Sequence, residues 1–264
     1  MRVCLLASGS RGNCALIETD DCRLLIDAGL SGKETERRLA PLGLSGHDLD
    51  GILVTHEHHD HVGGIGPLAR RFDLPVHIDQ LTHSALPNLG KIHQLRHFIA
   101  GEQFSIGPLT ISPFSTTHDA VNPVGFTIES SEGKIGFATD LGVPTRLVAD
   151  HLKGCRVVVL EANHDDQMLQ DGPYPWTLKQ RIRSRHGHLS NRDSIRLLEE
   201  ITWPGLEALF LAHLSEENNC PELAAQEFRQ TLTQCGHDPQ VIIGYQHQAS
   251  FCFASSSAIV TTTK

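Results

Sequence analysis

One short segment constrains this chain more than any other: four histidines and one aspartate fall within six residues, directly after an apolar run. The run Gly51–Thr55 is predicted to be a strand, and the residues after it read His-x-His-x-Asp-His from His56 to His61. In extended backbone, alternate side chains point the same way, so His56 and His58 can face one metal ion while Asp60 and His61 face a second. At the His and Asp frequencies of this chain, coincidence would produce the pattern in about one chain in two hundred, which favours a metal site.

Histidine and aspartate also follow three later predicted strands. Each of these residues has an ordinary alternative as a side chain without function, but a strand end is where a rigid scaffold presents functional groups. Their shared placement predicts that they join the first group. The three are His118 after Leu109–Phe114, Asp140 after Ile135–Ala138, and His213 after Ala208–Ala212.

The composition describes an ordinary globular protein and excludes disorder, collagen and coiled coil: 264 residues, 39% hydrophobic, 20% charged, with a net charge of -9. It predicts one domain over residues 1–253 and a loose tail at 254–264. Seven cysteines without a C-x-x-C pair indicate reduced thiols in a cytoplasmic protein. No apolar stretch approaches the ~20 residues of a membrane span, so no membrane association is predicted. The oligomeric state stays open.

The pattern of strands and helices predicts an α/β fold. Phe104–Ile106 and the three apolar runs that follow it, up to Ala138, are predicted to form an antiparallel meander. Val157–Leu160 is a continuous apolar run, which is typical of a strand buried on both faces. Segments with helical periodicity flank it, and another such segment lies earlier, at Gly32–Leu42. We therefore expect two sheets packed face to face, with helices on both outer faces.

In chain order, Asp27 in Leu-Leu-Ile-Asp-Ala-Gly, the His56–His61 run, His118, Asp140 and His213 resemble the five sequential motifs of the metallo-β-lactamase superfamily. The resemblance extends from residue 3 to about residue 245. It implies a four-layer αββα sandwich with two mixed sheets.

Two shorter strings are similar to the YycJ/WalJ-like branch of this superfamily, whose members are regarded as DNA exonucleases. They are Leu-Ala-Ser-Gly-Ser-Arg-Gly-Asn, ending at Asn13, and Gly-His-Leu-Ser-Asn, ending at Asn191.

The resemblance implies two divalent ions per chain, and imidazoles with carboxylates suit Zn²⁺, Mn²⁺ or Fe²⁺ without choosing among them. Asp27 is expected to orient a histidine rather than bind metal, and a turn cap before Gly29 is its alternative role. The implied ligands are His56, His58 and His118 on the first ion, Asp60, His61 and His213 on the second, and Asp140 between them.

The implied chemistry is hydrolysis of a phosphodiester by a hydroxide that bridges the ions. Asp60 would align this nucleophile and accept its proton, and His188 would protonate the leaving oxygen. The alternative for His188 is a loop histidine ahead of a helix that Ser190 or Asn191 caps. Substrate contacts are predicted for Ser190 and Asn191, and also for Ser10 and Asn13 in a glycine-containing turn that could equally be a tight hairpin.

The substrate class rests on charge and on elimination. Between Lys179 and Arg196 there are six cations and a single acid, either a grip on nucleic acid or an ordinary solvated helix face. Nucleic acid, with DNA preferred, is the predicted partner, and a DNA exonuclease is the predicted activity. A ribonuclease or a thioester hydrolase of glyoxalase II type is the alternative, and a non-catalytic metal or redox protein is a third. Strand preference and polarity stay open.

Overall fold

The strands of this protein carry apolar residues on both faces, so each sheet needs a covering layer on both sides. In the first strand, Val3 and Leu5 join one buried cluster, whereas Cys4 and Leu6 join another. The computed structural model describes residues 1–19, 21–86 and 88–255 and shows the layers that provide this cover.

Two seven-stranded sheets pack face to face, and the first cluster fills the space between them. In spatial order the first sheet contains β14 (Phe253–Ala254), β1 (Arg2–Ala7), β2 (Cys14–Thr19), β3 (Cys22–Ile26), β4 (Gly51–Leu53), β5 (Val76–Asp79) and β6 (Leu95–Phe98). The second contains β13 (Gln240–Ile243), β12 (Ala208–Ala212), β11 (Val157–Glu161), β10 (Gly133–Ala138), β9 (Val124–Ser130), β8 (Leu109–Ser115) and β7 (Phe104–Ile106).

Helices cover the outer faces of both sheets. The described helices are α1 (Gly32–Leu39), α2 (His59–Val62), α3 (Ile65–Phe72), α4 (Gln80–Ala85), α5 (Arg146–Leu152), α6 (Asp166–Asp171), α7 (Trp176–Ile182), α8 (Asn191–Ile201) and α9 (Pro221–Gln234). Leu39 and Leu68 of α1 and α3 pack on the first sheet. Leu152, Leu197 and Phe228 of α5, α8 and α9 pack on the second. The predicted four-layer αββα sandwich is confirmed.

Both sheets follow the same plan of strand directions. In each, three antiparallel pairs are followed by three parallel pairs, and the central strand, β3 or β10, belongs to both sets. The predicted meander from Phe104 to Ala138 is therefore confirmed. Because parallel strands end at the same edge of a sheet, residues far apart in sequence meet there.

Some predicted boundaries differ from the structure. The helix predicted over Gly32–Leu42 ends at Leu39 and continues as a 3₁₀ turn, where Pro41 cannot donate a backbone hydrogen bond. The sequence analysis did not predict β6, α4, α6 or β14. Strand β6 is short and half polar, so its pattern resembles a loop.

The chain ends of the described region are tied to the first sheet. Strand β14 pairs with β1, with Ala254 opposite Arg2, which places Ala254 in a strand rather than in the predicted loose tail. Residues 256–264 of that tail lie outside the described residues. The pairing brings Cys252 beside Cys4 in a disulfide, with a Cα–Cα distance of 4.4 Å. The prediction of reduced thiols is therefore wrong for these two cysteines. The pair could not be predicted because two cysteines 248 residues apart leave no local sequence pattern.

Among the described residues, no helix combines the length and the apolar character needed to cross a bilayer. The pairing of β14 with β1 places both ends of the described chain in one sheet, and the single domain over residues 1–253 stays a prediction.

Candidate active site

The predicted ligands converge at the edge where the strands of both sheets end. His56 follows β4, Asp140 follows β10, and His213 follows β12 directly. His61 lies on the one-turn helix α2, and His118 lies in the loop after β8.

Three residues at this edge adopt the left-handed backbone conformation that non-glycine residues avoid. Asp27, Asp140 and His213 have φ values of 59°, 56° and 55°. Such strain persists where the surrounding structure holds it in place, and it concentrates at functional sites. Here it turns the chain sharply at the strand end, so that each side chain projects into the space between the two sheets' loops.

The first group is formed by His56, His58 and His118, whose nearest ring nitrogens all lie within 4.8 Å of one another. The His118 Nδ1–H donates to the Gly187 carbonyl at 3.0 Å, and the His58 Nε2–H donates to the Asp119 carbonyl at 3.2 Å. A carbonyl only accepts, so in the neutral form of each ring His118 Nε2 and His58 Nδ1 carry the lone pairs.

His56 has the same arrangement through Thr55. The Thr55 hydroxyl donates to Asp27 Oδ2 at 2.8 Å, so it accepts from His56 Nδ1–H at 2.9 Å and leaves His56 Nε2 with a lone pair. That nitrogen lies 3.1 Å from His58 Nδ1. Two lone pairs facing each other at this distance repel, and a shared cation would resolve the repulsion.

The second group is arranged around Asp140. Its Oδ1 lies 3.0 Å from His213 Nδ1 and 3.8 Å from His118 Nε2, whereas its Oδ2 lies 3.4 Å from His61 Nε2. Asp60 Oδ2 lies 3.4 Å from the same His61 nitrogen. One carboxylate thus borders both groups of predicted ligands.

Asp140 Oδ2 is buried and accepts no hydrogen bond, since its 3.4 Å separation from His61 is an ion-pair contact only. A buried carboxylate oxygen without a donor is costly unless a cation compensates it. Together with the mixed imidazole and carboxylate donors, this shows that the residues fit divalent metal ions.

The electrostatics of the site come from buried charge. Burial disfavours the Asp140 anion, but His213 and His61 outweigh burial and hold the pKa of Asp140 well below its ordinary value. In return, Asp140 and Asp27 overcome burial and raise the pKa of His61 well above the usual value. Burial dominates at His56 and lowers its pKa. The site therefore combines carboxylates that stay ionised with an imidazole that stays neutral.

Asp27 lies behind the ligands, as the sequence predicts. It accepts the Nδ1–H of His61 at 2.7 Å and the backbone N–H of Thr55 at 2.8 Å. These bonds fix the ring so that Nε2 faces Asp140. Burial raises the pKa of Asp27, and His61 partly offsets that rise.

Glu161 is the residue that the sequence analysis missed. It ends β11, is fully buried, and accepts the backbone N–H groups of Leu141 and Leu189 at 2.9 and 3.0 Å. Its Oε1 lies 2.8 Å from His188 Nδ1 and 3.2 Å from His213 Nδ1. Glu161 therefore positions two histidines at once, and an acid that closes an apolar strand is the signal that could have identified it.

The four predicted substrate contacts fall into different places. Ser10 is exposed and lines the cleft described below. Asn13 is buried, and its Nδ2 lies 3.1 Å from Asp60 Oδ2, so it supports a predicted ligand from behind. Ser190 and Asn191 are also buried: the Ser190 hydroxyl caps α8 at the Asp193 N–H, and Asn191 pairs with Asn219. The prediction of substrate contacts is corrected for these two, since their polar groups bond within the protein.

A cleft of about 670 Å³ opens onto the site. Asp60, His58, Asp140, His188 and His213 lie on its floor and walls. His188 is one-fifth exposed in its side chain, which leaves it accessible from the cleft.

The basic run Lys179–Arg196 does not form a free cationic surface beside the cleft. Lys179 is buried and donates to two backbone carbonyls at 2.7 Å. Arg181 pairs with Asp119 at the cleft, and Arg192 pairs with Asp166 outside it. Much of the predicted nucleic-acid grip is thus engaged within the protein.

The fold and the site define the class. A model of the β-lactamase superfamily domain matches residues 22–213, and the chain belongs to the metallo-β-lactamase superfamily, a superfamily of hydrolases. Within it, the chain is 40% identical to a Bacillus anthracis protein named exodeoxyribonuclease YycJ, over 88% of this chain and 89% of that one. It is 38% identical to exodeoxyribonuclease WalJ of Streptococcus pneumoniae D39, over 87% of each chain. The predicted superfamily and branch are confirmed.

A solved structure gives independent support for the fold. The metallo-β-lactamase fold protein YhfI of Bacillus subtilis superposes with a TM-score of 0.72 at 18% identity, covering 96% of this chain and 98% of that one. At this identity the likeness concerns the architecture alone.

Proposed function

We propose that this protein is a phosphodiesterase that hydrolyses nucleic acid with two divalent ions, and that it acts as a DNA exonuclease. The observation that carries the proposal is Asp140, which borders both groups of histidines and keeps one buried oxygen without a hydrogen bond. The YycJ and WalJ relatives, named exodeoxyribonucleases, support the choice of DNA.

His56, His58 and His118 would hold one ion, Asp60, His61 and His213 the other, and Asp140 both. Bound there, the ions would activate a water nucleophile and neutralise charge on the phosphodiester. Asn13 Nδ2 donates to Asp60 Oδ2 at 3.1 Å, which fixes the carboxylate that aligns the nucleophile and accepts its proton.

His188 would give a proton to the leaving oxygen. Its Nδ1–H donates to Glu161 Oε1 at 2.8 Å, so in the imidazolium form the second proton sits on Nε2. Burial disfavours the Glu161 anion, but His188 and His213 lower its pKa to about 2. A carboxylate that stays ionised keeps the His188 ring oriented through Nδ1 and leaves Nε2 free to face a substrate.

A DNA substrate would place the enzyme in the cytoplasm, as the sequence analysis expects. The free state of the five cysteines other than Cys4 and Cys252 supports that location, and the Cys4–Cys252 disulfide opposes it.

The test is incubation of manganese-loaded protein with end-labelled single- and double-stranded DNA and RNA, and with a glutathione thioester. A ladder of shortened DNA products supports the proposal and reveals strand preference and polarity. Asp140→Ala serves as the control that excludes a contaminating nuclease. Faster turnover of RNA or of the thioester would instead support one of the alternative hydrolases.

A further inference from the structure

The cleft has one wall that the proposed chemistry does not use. Apolar side chains from the connection between α6 and α7 and from α7 itself line the cleft together with the charged groups: Tyr174, Leu178 and Ile182. Among the described residues that line the cleft, Tyr174 is the only one of the Phe, Tyr and Trp class. Phenylalanine, tryptophan and tyrosine together make up only 5% of the chain, so an aromatic ring at any one position is uncommon for this sequence.

Resting on the proposed function, we propose that Tyr174 is a stacking platform for the terminal nucleobase of a single-stranded DNA end. Base faces stack on aromatic side chains with little dependence on sequence, which suits an enzyme that shortens a strand one nucleotide after another. The terminal phosphodiester would then lie over the histidine and carboxylate floor.

The backbone that carries Tyr174 is held rigidly. Prolines precede and follow it, and Pro175 restricts Tyr174 to extended conformations. The buried ammonium of Lys179 donates to the carbonyls of Gln170 and Gly172, both at 2.7 Å. A platform that is rigid before binding loses little conformational entropy when a base stacks on it.

Packing at Gly172 adds to this rigidity. A Cβ atom at that position would lie 2.3 Å from Asn218 Oδ1, so the turn is pressed against the loop after β12. The turn therefore has contacts on both sides, from Lys179 and from Asn218, that keep the Tyr174 ring at the cleft.

The charges at the rim of the cleft favour binding of a DNA end over binding of a long stretch of the DNA backbone. Arg11 pairs with Glu216 at 3.6 Å, and Arg181 pairs with Asp119. Glu217 adds a further carboxylate to the lining. These acids oppose binding of a long run of phosphates, so most of the affinity is expected from the floor and from the apolar wall.

The size of the cleft agrees with this occupant. Its volume of about 670 Å³ lies within the range of roughly 300–1,000 Å³ for sites that enclose small organic ligands. That volume suits the terminal part of a single strand.

The test compares Tyr174→Ala with Tyr174→Phe, which keeps the ring, and with Trp176→Ala, an exposed aromatic residue two positions along that lies outside the described cleft lining. Manganese-loaded protein is titrated with single-stranded oligonucleotides that carry phosphorothioate linkages and 2-aminopurine at either end. Stacking quenches 2-aminopurine emission, so one titration reports both affinity and stacking.

We expect wild type, Tyr174→Phe and Trp176→Ala to quench the probe at one end, and Tyr174→Ala to lose the quenching and to bind about tenfold more weakly. An abasic terminal nucleotide should weaken binding to wild type by a similar factor and leave binding to Tyr174→Ala unchanged. Equal metal content in all variants, measured by elemental analysis, shows that the site is intact.

The inference is overturned if Tyr174→Ala binds and quenches like wild type, or if Tyr174→Phe is as defective as Tyr174→Ala. Hydrolysis of DNA ends by wild type with no preference between normal and abasic ends overturns this inference alone. A wild type that neither binds nor hydrolyses any oligonucleotide contradicts the proposed function itself.

Discussion

Asp27 and Asp140 occupy matching positions in the two sheets. Each follows the central strand, β3 or β10, and each has a left-handed backbone. Asp27 accepts hydrogen bonds on both oxygens, from Thr55 and His61, whereas Asp140 keeps Oδ2 free of any hydrogen bond. The same architecture thus provides one carboxylate that orients a predicted metal ligand, His61, and one that keeps an oxygen available for a cation. The two carboxylates differ in how many of their oxygens accept hydrogen bonds, and this difference, more than their position in the fold, distinguishes their expected roles.

The comparison is tested most severely by removing the free carboxylate. Asp140→Ala should lose both ions and all measurable hydrolysis, because the two groups of histidines would no longer share a ligand. Elemental analysis of the dialysed protein, with circular dichroism to verify folding, measures this. Two ions per folded chain in the variant would refute the bridging assignment.

The next largest effect concerns His188. Glu161 orients the His188 ring beside the second sheet, just as Asp27 orients the His61 ring beside the first. His188→Ala should keep both ions and lower turnover by about 10²–10⁴, the usual contribution of a general acid. Steady-state kinetics on a labelled oligonucleotide, with metal content measured in parallel, provides the check. Unchanged turnover would remove His188 from the mechanism.

The pH dependence of stability should reveal the buried charge of the site. In metal-free protein, burial opposes the charged form of His213, but Asp140 and Glu161 raise its pKa to about 10. The folded state then retains a proton that the unfolded state releases above its ordinary pKa of about 6.5. This stabilisation is complete below about pH 6.5 and is lost as pH rises through 10, with a total on the order of a few kcal/mol.

Thermal unfolding of metal-free protein between pH 6 and 10 measures this decline. His213→Gln should reduce the decline without abolishing it, because the pKa of His61 is also raised. Metal-loaded protein should show less change, since an ion in the site takes the place of the proton. A metal-free profile that is level, or that rises with pH, would contradict the assigned role of His213.

Removing Asp27 should have a smaller effect than removing Asp140, which is the direct test of their different roles. Asp27→Asn retains the shape but loses the anion that accepts the His61 proton, so metal affinity should fall by about 10- to 100-fold with binding retained. Competition with a chromogenic chelator gives the affinity. An effect equal to that of Asp140→Ala would make Asp27 a ligand, and no effect would favour the turn cap as its role.

Much of this site could be predicted from the sequence because its signals are local. The His56–His61 run and the single residues His118, Asp140 and His213 each follow an apolar strand, and parallel strands bring their ends together. The layered fold follows from the same strands, since their apolar runs require cover on both faces.

The remaining features depend on contacts that leave no local pattern. Glu161 was passed over because one acid after a strand is common, and only folding brings it to His188 and His213. The sequence groups Lys179 with the other cations of the basic run, yet its side chain folds back onto the carbonyls of Gln170 and Gly172. The Cys4–Cys252 pair depends on a two-residue strand that pattern analysis is too coarse to find.

The smallest expected effect concerns the basic run Lys179–Arg196, which lies in the second half of the chain. Arg181 reaches the cleft, whereas Arg196 pairs with Asp193 on the exposed surface of α8. If Arg181 exchanges Asp119 for a phosphate when DNA binds, Arg181→Ala should lower the slope of log affinity against log salt by roughly 0.7, the value for one phosphate of a single strand. Arg196→Ala is the matched control and should leave that slope unchanged. Equal slopes for both variants and wild type would show that the run is a solvated helix face, and that the site holds DNA through its floor and its apolar wall.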